Sequence, residues 1–205
     1  MSSNLESFED IGPTTDLRAF EVPLTIGVIA DTHLYDRRGT SLPSPVLDLF
    51  DRAAVGLIVH LGDANTRAVL DQLAEIAPLI AVAGNNDDVE LYTTLPESTL
   101  FTVGTFRFAA LHGHGGRTAR DEAIRRFRGR ADCVLFGHSH KPLIEQIDDT
   151  VFFNPGSATD RRWHEHFGVG LLQVTAERFQ PDLILYSHPD HLVNIDVSKG
   201  VESAP

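Results

Sequence analysis

The sequence predicts an α/β protein built on two stacked β-sheets. Three observations carry that prediction. Apolar runs alternate with amphipathic segments in the first half, strand-like runs crowd the second half, and polar residues recur where strands should end.

Residues 1–21 lack clear periodicity and carry Pro13 among small polar residues, so a loosely ordered extension is expected there. A single domain over residues 22–187 follows, and the polar stretch 188–205 is expected to be a loose tail. The first strand candidates are TIGVIAD (Thr25–Asp31), GLIVHLGD (Gly56–Asp63) and PLIAVAGN (Pro78–Asn85). Their near-continuous apolar character suits strands covered on both faces. Between them, Ser44–Ala53 places Val46, Leu47 and Phe50 at helical spacing. The segment Asn65–Ala77 opens with an Asn or Thr cap and repeats Val69, Leu73 and Ile76 on one face. Connections of this length imply parallel strands.

In the second half, Thr99–Gly104 and Phe106–His112 read as a hairpin or as two consecutive strands. A helix over residues 118–130 and a buried strand over Asp132–His138 come next. Four further runs, LIEQID, TVFFNPG, GVGLLQVT and PDLILYS, are strand-like. One layer does not comfortably hold so many strands, which implies two packed sheets with helices outside.

The 205 residues suit one domain with a sizeable core. Seventeen Lys and Arg against 29 Asp and Glu leave a formal charge of -12, which argues against broad binding to nucleic acid or an anionic membrane. The single cysteine, Cys133, excludes an internal disulfide framework and a Cys-rich zinc site, and reads as a small buried residue. No apolar run is long enough to span a bilayer, and the polar, acidic start MSSNLESFEDIG does not read as a secretory signal. A cytoplasmic location is the expectation.

Asp31 with His33, Asp63, Asn85, His112, and His138 with His140 fall at or just past the C-terminal ends of predicted strands. In parallel sheets those ends share one edge, where ligands bind. Packing does not need polar residues at five strand exits, whereas a metal site draws side chains from distant positions to one point. Two carboxylates, four imidazoles and an amide exceed the needs of one ion and match two divalent cations sharing a carboxylate. Gly62, Gly84 and Gly137 precede three of these residues and allow sharp turns and close backbone approach. A mixed O/N donor set without thiolate suits Mn, Fe or Zn better than Mg or Ca.

The blocks DTH (Asp31–His33), HLGD (His60–Asp63), GNND (Gly84–Asp87), HGHG (His112–Gly115), GHSH (Gly137–His140) and NPGS (Asn154–Ser157) follow one another in order. On these blocks the chain resembles the calcineurin-like metallophosphoesterases. Within them it is similar to the small bacterial and archaeal phosphodiesterase group related to the retromer metallophosphoesterase-like subunit. The resemblance covers roughly residues 24–175 and implies a four-layer α/β/β/α sandwich with two stacked mixed β-sheets. It implies a first metal held by Asp31, His33, Asp63 and His140, and a second held by Asp63, Asn85, His112 and His138. The implied cofactors are two divalent transition-metal ions, Mn foremost, with Fe, Zn, Ni or Co as alternatives. The implied activity is phosphodiester hydrolysis, with a bridging hydroxide attacking a small phosphoester in line. Two alternatives stand beside it: a non-catalytic interaction scaffold that retains its metal site, and a phosphomonoesterase or nucleotide hydrolase.

Larger members of the superfamily carry GNH at the third block, where the His is held to protonate the leaving group. Here Asn86 takes that position and cannot supply a proton. The resemblance gives Asp87 the task of orienting a metal-binding group through a hydrogen bond, and Asn154 a place near the site. His114 is the candidate for contacting substrate or acting as acid. His60 reads as a hydrogen-bonded core histidine, and Arg161 or Arg162 as a phosphate clamp or as plain surface arginines. Trp163–His166 reads as a solvated loop, and His188 and His191 as surface residues. The six arginines between Arg117 and Arg130 are expected to pair along their own helix, as Asp121–Arg125 and Glu122–Arg126, with steering of anionic substrate as a second role. Nucleic acid and membrane are not expected as partners, and self-association through an apolar edge over Gly168–Tyr186 is the candidate assembly.

Overall fold

A computed structural model describes residues 18–35 and 39–195. In chain order the elements are β1 (Arg18–Phe20), β2 (Leu24–Ile29), α1 (Ser44–Arg52), β3 (Leu57–His60), α2 (Arg67–Ala74), β4 (Leu79–Ala81) and α3 (Val89–Thr94). There follow β5 (Ser98–Val103), β6 (Phe106–Leu111), α4 (Ala119–Phe127), β7 (Cys133–Phe136), β8 (Leu143–Ile147) and β9 (Thr150–Asn154). The chain then forms β10 (Phe167–Val174), β11 (Phe179–Tyr186) and a 3-10 helix (Pro189–Asn194).

Two mixed sheets result, ordered β11-β10-β2-β3-β4 and β1-β5-β6-β7-β9-β8. In the first, β2, β3 and β4 are parallel, as the alternating strand and helix pattern predicts, and β10 joins β2 antiparallel. In the second, β6, β7 and β9 are parallel, while β5–β6 and β8–β9 are antiparallel hairpins. Strands β2, β3, β4, β6, β7 and β9 end toward the edge that carries the polar blocks, while β1 and β5, parallel to each other, run opposite to β6.

Three apolar clusters fill the spaces between four layers. Val46, Leu49 and Phe50 of α1 and Val69, Leu70 and Leu73 of α2 pack on the outer face of the first sheet. Ile26, Val28 and Val59 meet Phe101, Phe108, Leu135 and Phe153 between the sheets. Ala119, Ala123 and Phe127 of α4 cover the outer face of the second sheet at Leu111, Val134 and Phe152. The order is therefore helix, sheet, sheet, helix. Cys133 is buried in the inter-sheet cluster, where desolvation pushes its thiol pKa up and keeps it neutral.

Several local expectations are corrected. Arg18–Phe20, inside the stretch expected as a loose extension, form β1 alongside β5, and the Phe20 ring meets Phe101 edge-on at 6.3 Å. A three-residue strand shows no periodicity in sequence. At the other end, Leu192 of the 3-10 helix is fully buried, and Arg52 donates to the carbonyls of Leu192 and Ile195 at 2.6 and 2.9 Å. The remaining parts of the expected extension and tail, 1–17 and 196–205, lie outside the described residues. Strand β4 is shorter than the apolar run that predicted it, because Ala83 leaves the ladder and donates to Pro96 O at 2.9 Å. Helix α3 has no counterpart in the sequence reading: it is six residues long, capped by Asp88 accepting from Leu91 N at 2.9 Å, and buries only Leu91.

The arginines of α4 pair differently from the expected i,i+4 pattern. Arg125 binds Glu122 one turn earlier at 2.5 Å, and Arg126 reaches Glu97 at 2.5 Å. Arg120 binds Glu145 of β8 at 2.6 Å, and Arg128 binds Asp148 at 2.5 Å. Carboxylates on β8, in the β8–β9 turn and just before β5 compete for the guanidinium groups, so three of these four arginines fasten α4 and its C-terminal end to the second sheet.

Candidate metal centre

Each polar block follows a parallel strand, and the backbone at the turn is unusual. Asp31, His33, Asp63, His138 and His140 all adopt positive φ, between 46° and 66°. Left-handed backbone costs a residue with a Cβ about 1–2 kcal/mol, so five such residues on one edge mark a site held in place by its surroundings. The loops after β2 and β3 are laced together: Asp31 N donates to Gly62 O at 3.1 Å and His33 N to Asp63 O at 2.9 Å. Gly62 and Gly84 are required sterically. A Cβ on Gly62 would lie 2.7 Å from His112 Nδ1, and one on Gly84 would lie 2.2 Å from Asp63 N and Oδ1.

Two donor groups result: Asp31, His33 and His140, and Asp63, His112 and His138. In the first, His33 Nε2 lies 3.1 Å from His140 Nε2, which is 3.5 Å from Asp31 Oδ1. In the second, His112 Nε2 lies 3.2 Å from His138 Nδ1 and 3.3 Å from Asp63 Oδ2. Asn85 Oδ1 joins this group, 3.2 Å from His112 Nε2. The groups meet at Asp63, whose Oδ2 is also 3.5 Å from His33 Nε2. All seven residues singled out from the sequence therefore converge.

The donor chemistry fits divalent cations. Asp31 Oδ2 is buried with no hydrogen-bond partner among the described residues, an arrangement that a cation would satisfy. Burial raises the Asp31 pKa to about 7, with the neighbouring Asp63 charge adding to the rise. Burial also lowers His33 and His138, and brings His140 down to about 4, so these rings stand neutral with lone pairs available. For Asp63 burial works the other way, yet hydrogen bonds from His112 and Asn86 hold its carboxyl well below the ordinary range. Burial opposes charge on His112 too, but the bond to Asp63 and the charges of Asp31 and Asp63 raise it to about 9. A buried, electron-rich pocket thus traps a proton on His112 where a metal would compete for the same lone pair.

Supporting bonds decide which atoms face inward. His112 Nδ1 donates to Leu61 O at 2.7 Å and His140 Nδ1 donates to Asp160 O, which leaves Nε2 of each ring for the site. Asn86 grips Asp63 twice, from its backbone N to Oδ1 at 2.8 Å and from Nδ2 to Oδ2 at 2.7 Å. Asp87 makes no hydrogen bond to a candidate donor side chain among the described residues. Its two oxygens accept from Asn65 N at 2.8 Å and Gly84 N at 2.7 Å, tying together the loops that carry Asp63 and Asn85. Asn154 Nδ2 donates to Gly137 O at 2.9 Å and holds the turn bearing His138 and His140.

His60 is the buried core histidine expected from its strand position, bonded to Thr32 Oγ1 at 3.2 Å and Gly62 N at 3.2 Å, with burial lowering its pKa to about 3. His114 stands beside the second group, its ring centroid 5.5 Å from that of His112 and its Nδ1 buried without a partner among the described residues. Arg161 does not face the site: its Nη1 donates to His164 O at 2.5 Å and its guanidinium lies 5.7 Å from the centre of the Phe167 ring. Sequence reasoning missed Ser157, whose Oγ donates to Asp31 O at 2.7 Å, and the carbonyl of Asp160. The NPGS block held the signal for Ser157; a backbone carbonyl leaves none.

Comparison with known proteins agrees with this geometry. The description "Calcineurin-like phosphoesterase superfamily domain" matches residues 24–177. A probable metallophosphoesterase of Methanocaldococcus jannaschii is 37% identical over 139 residues, 66% of this chain and 69% of that protein. A probable metallophosphoesterase of Methanothermobacter thermautotrophicus is 34% identical over 169 residues, 81% of this chain and 95% of its own. A second M. jannaschii protein, named a phosphodiesterase, is 26% identical over 147 residues, 65% of this chain and 83% of its own. Among solved structures, Vps29 of Chaetomium thermophilum superposes with a TM-score of 0.66 at 24% identity, covering 80% of this chain and 98% of that one, a likeness of fold. With its six ordered blocks gathered on one sheet edge, the chain belongs to the calcineurin-like phosphoesterase superfamily.

Proposed function

We propose that the protein is a metal-dependent phosphodiesterase acting on a small phosphoester through two divalent transition ions. The single observation that carries this reading is Asp63, one carboxylate oxygen of which lies within 3.5 Å of an imidazole in each donor group. Asp31, His33, Asp63 and His140 would hold one ion, and Asp63, Asn85, His112 and His138 the other. Such ions supply an acidified water near neutral pH and neutralise charge on the phosphate. Manganese is the first choice for activation, with Fe, Zn, Ni or Co as alternatives that the oxygen and nitrogen donors also suit. The likeness to an M. jannaschii protein named a phosphodiesterase supports choosing diesters rather than monoesters.

The chain's own side chains do the positioning. Asn86 fixes both oxygens of Asp63 and so sets how that carboxylate divides between the groups. With Asn86 committed to Asp63, we take His114, whose ring lies 5.5 Å from that of His112, as the candidate to contact a phosphoryl or leaving-group oxygen. His114→Ala should therefore slow an alkyl diester by more than tenfold while affecting a p-nitrophenyl diester far less, since p-nitrophenolate leaves without a proton. Equal losses on both substrates would assign His114 to binding instead.

The defining experiment is a metal titration with bis(p-nitrophenyl) phosphate. Turnover should rise with Mn, and Asp63→Asn and His140→Ala should lose most of it while circular dichroism shows the fold retained. Complete inertness with Mn, Ni, Co and Zn would favour a scaffold role.

A further inference from the structure

The turn after NPGS is built onto the donor groups and ends in two side chains that the site does not otherwise use. Asp160 O accepts from His140 Nδ1, and His164 Nε2 lies 3.3 Å from Ser139 O. Both ends of the segment 160–164 thus rest on the turn that carries His138 and His140. Within it, His164 N donates to Arg161 O at 2.9 Å, so Arg162 and Trp163 form the tip. Ser157 Oγ, which donates to Asp31 O, also accepts from Asp160 N at 2.8 Å and fixes the base of the turn.

Arg162 sits at φ 48°, a left-handed conformation that glycine adopts without cost and arginine does not. Its guanidinium has no hydrogen-bonded or ion-paired partner among the described residues, whereas Arg161 is folded back onto His164 O and Phe167. Because Asp160 and His164 on either side of it both touch the turn that carries His138 and His140, the backbone of Arg162 sits beside the donor groups. Trp163 is the only tryptophan in the chain and is 94% exposed, so its indole contributes little to the core and offers a flat apolar face to solvent.

We propose that Arg162 and Trp163 form a substrate arm: the guanidinium takes a phosphate oxygen, and the indole stacks on a planar aromatic group esterified to that phosphate. The substrate class is then aryl or nucleoside phosphodiesters rather than purely alkyl ones. This inference rests on the phosphodiesterase reading above for its chemistry, but its geometry is independent of turnover. Charged hydrogen bonding supplies orientation at the phosphate, and stacking supplies selectivity among the esters.

Two diesters with one leaving group separate these roles. With Mn-loaded protein, kcat/KM for bis(p-nitrophenyl) phosphate is compared with that for ethyl p-nitrophenyl phosphate. Wild-type protein should prefer the diaryl ester, and Trp163→Ala should lower that preference roughly fivefold or more. Arg162→Gln should slow both esters by roughly ten- to hundredfold. Arg178→Gln removes the same charge from the β10–β11 turn, at the opposite end of β10 from the site, and should change neither.

Trp163 fluorescence reads binding without turnover. Millimolar phenylphosphonate should quench or shift it, and Arg162→Gln should weaken that response at least fivefold. Active protein in which Arg162→Gln and Trp163→Ala match wild type overturns the arm and leaves the phosphodiesterase reading standing. An Arg162-dependent fluorescence response in protein inert toward both esters supports the arm and overturns that reading. An indole blind to phenylphosphonate overturns the arm as well.

Discussion

Asp31 concentrates the conflict between stability and function in one side chain. Its carboxyl is fully buried, its Oδ2 has no partner among the described residues, and burial raises its pKa to about 7 against an ordinary 3.8. A raised carboxylate pKa means that the folded state binds the proton more tightly than the unfolded one. The metal-free protein therefore loses stability as pH rises from the ordinary value through the folded one. Asp31→Asn should raise the melting temperature of metal-free protein at about pH 8, by roughly 2–8 °C, and have little effect near pH 4. The same variant should bind Mn poorly. A lower melting temperature at pH 8 would show that the carboxylate stabilises the empty site. Asn86 acts in the other direction, through Asp63. Removing its side chain in Asn86→Ala leaves Asp63 Oδ2 without a donor at 2.7 Å and should weaken Mn binding by roughly 10–100-fold in calorimetry, with the fold unchanged. Unaltered affinity would mean that the backbone bond to Oδ1 suffices.

At the level of elements, the site depends on how short loops leave the strands. The loop after β4 passes so close to Asp63 that Gly84→Ala would place a methyl group 2.2 Å from its N and Oδ1. That variant should fold, since the strain is local to the loop, but should lose measurable Mn binding. Asp87→Ala strips the acceptors from Gly84 N and Asn65 N at once. It should cost about 1–3 kcal/mol by chemical denaturation, and retained stability would show that water replaces the carboxylate. These loops explain what could be read in advance. The seven candidate donors could be singled out because they sit at strand ends, three of them directly after a glycine, and because their types serve no packing purpose. The roles of Asp87 and Arg161 were not, since each depends on which backbone atom or ring lies opposite after folding. The arginines of α4 illustrate the same limit: helical spacing brought Glu122 and Arg126 together on paper, while Glu97 from the start of the second sheet captured Arg126.

For the whole molecule, the layered core is what brings the two halves of the site together. Asp31, Asp63 and Asn85 come from the first sheet, and His112, His138 and His140 from the second, so the packing between sheets sets their separation. Phe153 lies at that interface, fully buried, with its ring against Gly170 of β10. Phe153→Ala should cost about 3–5 kcal/mol and loosen metal binding along with stability. Two stacked sheets could be inferred from the number of apolar runs, and the shared edge from their parallel order. Strand β1 and the 3-10 helix that buries Leu192 could not, because three- and six-residue elements carry too little pattern to stand out from their polar surroundings.

Diffraction from crystals soaked in a manganese salt, recorded near the Mn absorption edge, reports directly on the pairing of these residues. Two anomalous peaks should appear, one within reach of Asp31, His33 and His140, the other within reach of Asn85, His112 and His138, with Asp63 touching both. A single peak with Asp63 on one side only, or none in this pocket, would rule out a shared two-ion centre.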